Sequence, residues 1–321
     1  MKFPLLVKIS ITDKCNLRCK HCFFSEYTNH EIEYDELVDI LNELKRENVG
    51  IIALTGGEPL THTRFIDIIR YCGQIGLNTA VATNGLLIND ALINELENAG
   101  IKRIQVSLES YIDETNDRIR GAGSFIQVYR ILHKLKDRKF NVSVASTMNH
   151  LNCDGIQEMV KLCDDLGIDS LRFELYLPLG QSADRGLALT KSDIHKIKDA
   201  LQQVENLQHS VRVKSPFSNY RSGCGAGTQQ CIINVDKTMS PCDLLPQLRS
   251  RAIEHPGDIR NIWNEDDAFL GWRALECTDP YCSKECLSRN NCAKGCRAAA
   301  LAYNGKLTEY APLCDRRNLN E

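Results

Sequence analysis

The sequence predicts an α/β protein, a partial (β/α)6 TIM-like barrel followed by a small cysteine-rich domain. Three observations predict it. Short β-branched runs alternate with amphipathic segments from Lys8 to Val204, the pattern of successive βαβ units on a parallel sheet. The alternation stops after about Val211, where turn residues crowd together in SPFSNYRSGCGAG. Nine of the fifteen cysteines then fall between Cys224 and Cys314. A boundary is therefore expected near 205–215, dividing the chain into 1–210 and 211–321.

Lys8 to Thr12 reads as a first buried strand, feeding directly into the loop SITDKCNLRCKHCFF at 10–24. Leu37, Ile40, Leu41 and Leu44 give 34–47 a helical spacing, and IIALT at 51–55 is a second strand that stops at Gly56-Gly57. The same alternation predicts a helix from about Phe65 to Ile75, a strand at Thr79 to Thr83, a helix from about Asp90 to Ala99 and a strand at Arg103 to Leu108. A helix from about Phe125 to Asp137, a strand at Val142 to Thr147, a helix from about Ile156 to Leu166 and a strand at Leu171 to Tyr176 follow. A last helix runs from about Ser192 to Val204. Six units suggest a partial barrel, in which the loops after the strands share one face and carry the chemistry.

The chain of 321 residues is 43% hydrophobic and 25% charged, with a formal net charge of -3. That balance favours neither a nucleic-acid nor an anionic-membrane partner. MKFPLLVKIS lacks the core and cleavage site of a signal peptide, and no apolar run approaches ~18 residues. The chain is read as cytoplasmic, where fifteen cysteines need a reason other than disulfides.

Cys15, Cys19 and Cys22 form a C-x3-C-x2-C array. Three thiolates on one loop can hold three irons of a 4Fe-4S cube and leave the fourth without a protein ligand. The alternative is zinc, with His21 completing a Cys3His set, although structural zinc ligands usually come as two separated pairs. Followed closely by Phe23 and Phe24, the triplet resembles the signature of the radical S-adenosylmethionine (SAM) superfamily. The resemblance implies that the open iron chelates the amino and carboxylate groups of SAM. Reduction, by a flavodoxin or ferredoxin, then releases a 5′-deoxyadenosyl radical that abstracts an unactivated hydrogen, the cofactor carrying the hard step.

Other post-strand loops carry further elements of that resemblance. Gly56-Gly57-Glu58-Pro59 is similar to the family's GGEP motif, whose glycines let backbone approach a ligand and whose carbonyls, with Glu58 nearby, hold the methionine ammonium. Asn84 lies in a TNG turn, which is equally a plain Asn-Gly turn. Ser107 and Glu109 stand where relatives carry a SAM-contacting SLD. Arg120 resembles the arginine that contacts the SAM carboxylate, against an ordinary solvated arginine. Leu177, in LPLG, is the candidate adenine contact, and Phe24 the aromatic beside the triplet. Cys153, after the fifth strand, either looks into the same mouth or is packed like Cys72 and Cys163. The eight histidines form no ligand-like cluster.

In the tail the cysteines run Cys224-x6-Cys231-x10-Cys242, then Cys282-x3-Cys286-x5-Cys292-x3-Cys296, then Cys314. With CGAG at 224–227, CIINV before Ser240-Pro241-Cys242 and CAKGCRAAALAYNGK, this resembles the SPASM iron-sulfur domain, which binds two auxiliary 4Fe-4S clusters. The resemblance assigns Cys224, Cys231, Cys242 and Cys296 to the first cluster and Cys282, Cys286, Cys292 and Cys314 to the second, making three clusters in all. Two zinc ions could staple such a tail instead. The family's glycine before the third cysteine is Lys237 here, which alters a hairpin turn, and the C-x3-C spacing leaves Cys277 able to substitute for one ligand. Asp243 matches a general base in sulfatase-oxidising relatives, or else caps a turn.

The reading is a radical SAM/SPASM oxidoreductase that modifies a ribosomally synthesised peptide by cross-linking, oxidation or epimerisation. Epimerisation requires a hydrogen donor, for which Cys153 and Cys277 are the candidates. Many peptide maturases carry an N-terminal leader-binding domain, whereas strand one starts almost at once here, so a separate leader-binding protein is expected. The alternatives are a small-molecule substrate, such as a tetrapyrrole or sugar, and a non-catalytic iron-sulfur electron carrier, which the open triplet argues against.

Overall fold

The computed structural model describes residues 3–24, 27–180, 186–217, 224–276, 278 and 295–309. Their strands form one sheet: β1 (Leu6–Thr12), β2 (Ile51–Gly56), β3 (Thr79–Thr83), β4 (Arg103–Ser107), β5 (Asn141–Met148), β6 (Ser170–Leu175), β7 (Arg212–Lys214), β8 (Gln230–Ile233) and β9 (Met239–Ser240). The order is β7-β6-β5-β4-β3-β2-β1-β8-β9. Every pairing is parallel except β8 with β9. Helices α1 (Tyr34–Arg46), α2 (Phe65–Gln74), α3 (Asp90–Asn98), α4 (Asp113–Arg120), α5 (Ser124–Asp137), α6 (Ile156–Asp165) and α7 (Lys191–Glu205) make the crossovers.

Strand alternation separates two faces. Val7, Ile9 and Ile11, Ile52 and Leu54, Ile104 and Val106, Val142 and Val144, and Leu171 and Phe173 are buried against the helices. Each such side chain contributes about 1.5–3 kcal/mol by leaving water. The opposite phase is small or polar. Lys8 lies opposite Ala53 and Ala53 opposite Ala80; Ala82 lies opposite Gln105, Gln105 opposite Ser143, and Ser143 opposite Ser170. Most of these residues are half-exposed, so they line an open lumen instead of filling it.

The helices follow their sequence signals. Leu37, Ile40, Leu41 and Leu44 of α1 are buried, with Asp35 and Glu36 in its first turn and Lys45 and Arg46 in its last, complementing the helix dipole. Asn89 caps α3 by accepting from the Leu92 N–H, and Thr190 with Asp193 makes a capping box on α7.

Two features depart from the expected plan. The helix α4 places mainly Ile119 in the apolar core, too little for a periodicity to register. Beyond the boundary expected near residue 210, β7 pairs with β6, and β8 with β9 extends the same sheet from the other side of β1. The sheet therefore continues into the cysteine-rich region. Helices α8 (Asp258–Glu265), α9 (Asp267–Ala274) and α10 (Arg297–Asn304) complete the described fold, with Trp263 packed against Phe269 at 5.2 Å and Phe3 at 6.1 Å between ring centroids. Among the described residues, no helix is long and apolar enough to cross a membrane.

Candidate active site

The loop carrying Cys15, Cys19 and Cys22 leaves the C-terminal end of β1 and is tied down at its base. The Asp13 carboxylate accepts from the Thr28 N–H at 3.1 Å, from the Thr28 hydroxyl and from the His30 N–H at 2.8 Å. Within the loop, the Leu17 N–H donates to the Cys15 sulfur at 3.4 Å and the Tyr27 hydroxyl to the Cys22 sulfur at 3.1 Å. The Arg18 guanidinium stacks over Tyr27, 4.0 Å from its centroid. Phe24 stacks on Tyr27 at 6.1 Å and leans on Phe23 at 5.2 Å, so it closes one side of the loop.

The GGEP turn docks onto this loop from β2. The Gly57 N–H donates to the Thr12 carbonyl at 2.9 Å and the Glu58 N–H to the Lys14 carbonyl at 2.7 Å. A Cβ at Gly57 would stand 2.4 Å from the Lys14 oxygen, and one at Gly56 2.1 Å from the Thr12 oxygen. Sequence reasoning gave these glycines to ligand approach; what they admit in the structure is the backbone of the cysteine loop itself.

The Glu58 carboxylate is buried and accepts from the Thr83 hydroxyl at 2.6 Å, the Leu60 N–H at 3.2 Å and the Asn84 N–H at 2.7 Å. It is a strut joining the ends of β2 and β3. Burial pushes its carboxyl above the usual range, partly offset by these donors. Pro59 opens a short 3-10 turn behind it. The Asn84 side chain donates to the Asn16 side chain at 2.7 Å, fixing the loop between Cys15 and Cys19.

On the far side, Glu109 follows β4 and Arg120 ends α4. Arg120 Nη1 donates to Glu109 Oε1 at 2.7 Å, and the other Glu109 oxygen accepts from the Thr147 N–H at 2.6 Å. Both residues are buried, so Arg120 is no solvated surface arginine. Burial opposes its charge, but Cys19 and Glu109 more than offset that and raise its pKa. The Cys19 thiol is pushed up to about 11 by burial, against the pull of Arg120. His21 Nε2 stands 3.5 Å from Glu109, yet burial outweighs that carboxylate and lowers the imidazole pKa. Ser107 lies at the lumen end of β4, half-buried. Leu177 is buried in the segment after β6. That segment reaches the loop at Gly180 (φ +58), where a Cβ would stand 2.0 Å from the Phe23 carbonyl oxygen.

These residues fit the group that the sequence implies, a 4Fe-4S cluster with SAM. Three thiols share one loop, backbone and phenol donors already point at two sulfurs, and Arg120 Nε is buried without a hydrogen-bond partner among the described residues. As they stand, no three His, Cys, Asp or Glu side chains among the described residues converge closely enough to hold a metal ion. The fit rests on the donor set and on that unpartnered Nε.

Residues 9–166 match the family model for the radical SAM superfamily. That stretch is a radical SAM domain. The AdoMet-dependent heme synthase of Methanosarcina barkeri is 28% identical, over 97% of this chain and 96% of the relative. The mycofactocin maturase MftC of Mycolicibacterium smegmatis is 26% identical, over 97% of this chain and 82% of the relative. Among solved structures, Streptococcus suis SuiB bound to precursor peptide SuiA superposes with a TM-score of 0.79 at 16% identity, covering 98% of this chain and 76% of that one. The partial radical SAM barrel is thus the fold of this radical SAM enzyme, and a 4Fe-4S cluster with SAM is its cofactor set.

A second thiol group lies deeper, around β1 and β8. The charges of Cys224, Cys242 and Cys296 act on one another, and Asp243, Lys8 and Glu174 act on them in turn. Cys231 stands apart. It lies opposite Val7 on the helix-facing phase of β8, is buried, and feels only Arg273. Cys224, Cys242 and Cys296 thus feel one another's environment without converging as a metal-binding set among the described residues. Cys277, Cys282, Cys286, Cys292 and Cys314 lie outside the described residues.

Asp243 forms an ion pair with Lys8 of β1, the two side chains keeping 29% and 27% exposure. Burial raises the carboxyl pKa, but Lys8 more than offsets it and holds Asp243 below the usual range. Sequence reasoning missed Lys8, although a lone cation at the inner phase of LVKISIT was the available signal. Cys153 does not look into the mouth. Its sulfur is buried and donates to Asp193 at 3.4 Å, and burial with that carboxylate pushes the thiol up to about 12.

Proposed function

We propose that this radical SAM enzyme oxidises or cross-links a ribosomally synthesised peptide held in the barrel lumen. One observation carries the reading: Cys15, Cys19 and Cys22 stand on the loop that leaves the C-terminal end of β1, while the same strand's Lys8 pairs with Asp243, the residue next to Cys242. A bound cluster with SAM supplies a 5′-deoxyadenosyl radical, and auxiliary clusters supply a place for the substrate's electron.

The chain's own residues do the rest. Glu58, Asn84 and Asn16 hold the cysteine loop in position. Arg120, charged and buried, would offer its free Nε to the anionic end of a bound SAM. Asp243 is the carboxylate that takes the substrate proton near the second thiol group. Epimerisation is disfavoured because Cys153, one of its two candidate hydrogen donors, is engaged with Asp193. The likenesses to MftC and to peptide-bound SuiB support a peptide substrate. We assign Cys282, Cys286, Cys292 and Cys314 to a second auxiliary cluster, a flavodoxin or ferredoxin as reductant, and a separate leader-binding protein as partner.

A second reading is a tetrapyrrole substrate, favoured by the heme synthase match along nearly the full length of both chains. Anaerobic co-expression with each short reading frame adjacent to the gene, in ordinary and deuterated medium, separates the outcomes. Loss of hydrogen mass from a peptide, dependent on Cys15, is the expected result. Deuterium gain without net oxidation indicates an epimerase, and no change in any neighbouring peptide transfers the assignment to the tetrapyrrole.

A further inference from the structure

The lumen wall formed by β6 and β7 carries positive charge that the described fold leaves largely unbalanced. Arg212 lies opposite Ser170 and Lys214 opposite Arg172. Partners in register share a face, so Arg172, Arg212 and Lys214 stand on the lumen phase, with Val213 on the helix side. Arg172 reaches Glu174 at 3.4 Å, both more than 40% exposed. Neither Arg212 nor Lys214 has a carboxylate partner among the described residues. Lys214 is instead pressed by its neighbours: burial, Arg172 and Arg212 all lower its pKa. Like charges on adjacent strands are destabilising, and a fold that keeps three of them on an inner wall is arranged for a ligand that neutralises them.

The position is that of a substrate. Arg172 acts on Asp243, and Glu174 on Lys8, so β6 faces β1 across the lumen. Ala145, in register with Arg172 on the same wall, leaves space beside the cations.

We propose that Arg172, Arg212 and Lys214 bind the carboxylates of the substrate, so that the enzyme acts on an anionic molecule anchored between β7 and the Lys8–Asp243 pair. Guanidinium and ammonium groups are suited to this through charge-assisted hydrogen bonds. The inference rests on the lumen being the substrate site, and the carboxylates are those of acidic peptide residues or of tetrapyrrole side chains.

The test uses anaerobically reconstituted full-length enzyme with SAM and four probes, with binding followed by fluorescence or calorimetry. Coproporphyrin III is compared with its tetramethyl ester, and hexaglutamate with hexaglutamine. The expected result is that one of the two anionic probes binds and its neutral counterpart does not. Arg172→Ala and Lys214→Glu should each weaken that binding at least about tenfold, while Arg249→Ala, on the outer surface, leaves it unchanged. The porphyrin arm or the peptide arm identifies the source of the carboxylates. Failure of both anionic probes to bind, or equal binding by Lys214→Glu, overturns the proposal. Formation of 5′-deoxyadenosine by the wild type in the same preparation keeps such a failure distinct from failure of the radical assignment.

Discussion

Glu109 and Arg120 show how much of the site depends on single buried charges. The pair is shielded from water, so Glu109→Gln keeps a hydrogen-bonding group but leaves a guanidinium without its counter-charge. Removing one partner of a buried pair costs about 3–5 kcal/mol, and a loss of about 3 kcal/mol is expected in urea unfolding of the metal-free chain. Asp243→Asn acts differently, since Lys8 and Asp243 open onto the lumen. That variant should still cleave SAM but yield no product, measured as 5′-deoxyadenosine against modified substrate; full product formation would leave Asp243 only its pairing with Lys8. Residues of this kind were unevenly legible. The three cysteines are read from spacing because metal ligation demands several thiols on one loop. Arg120 and Glu109 were read through family resemblance, but their partnership is long-range. Lys8 went unread because a lone cation on the inner phase of a strand marks the position without naming the carboxylate that pairs with it.

The elements were legible where periodicity is strong. Strands β1 to β6 present a largely apolar phase to the helices, interrupted by Thr79 and Thr83 in β3 and Ser146 in β5, and their boundaries come out within a residue or two. Strand β7 has one apolar residue between two cations, so no alternation could register. The turn before β9 keeps its shape without the expected glycine: Lys237 adopts φ +61 there, donating its N–H to the Asn234 carbonyl at 2.9 Å. The docking of the GGEP turn against Lys14 was not legible, because it is a property of two distant strand ends. Gly57→Ala tests that docking. With a Cβ 2.4 Å from one backbone oxygen and 2.7 Å from another, the cysteine loop must move. The expected outcome is a fall of about 1–3 kcal/mol in stability and a lower iron content after reconstitution. Unchanged iron content would show that the loop is positioned without the turn.

At the scale of the whole molecule, one sheet with two faces divides the labour. Its outer phase is apolar and packed, and supplies stability; its inner phase is small and polar, and leaves room. Ala145→Phe narrows the lumen beside Arg172 without touching the cysteine loop, so SAM cleavage in the absence of substrate should persist while substrate modification falls at least about tenfold. A variant that modifies substrate normally would place the chemistry elsewhere. The central claim is that Cys15, Cys19 and Cys22 support radical generation from SAM, and it is tested most directly by chemical reduction of the reconstituted enzyme with SAM under anaerobic conditions. The 5′-deoxyadenosine released is measured by mass spectrometry for the wild type and for Cys15→Ala. Nucleoside from the wild type and none from Cys15→Ala is the expected result. Equal amounts from both, or none from a wild type carrying its full complement of iron, would contradict it.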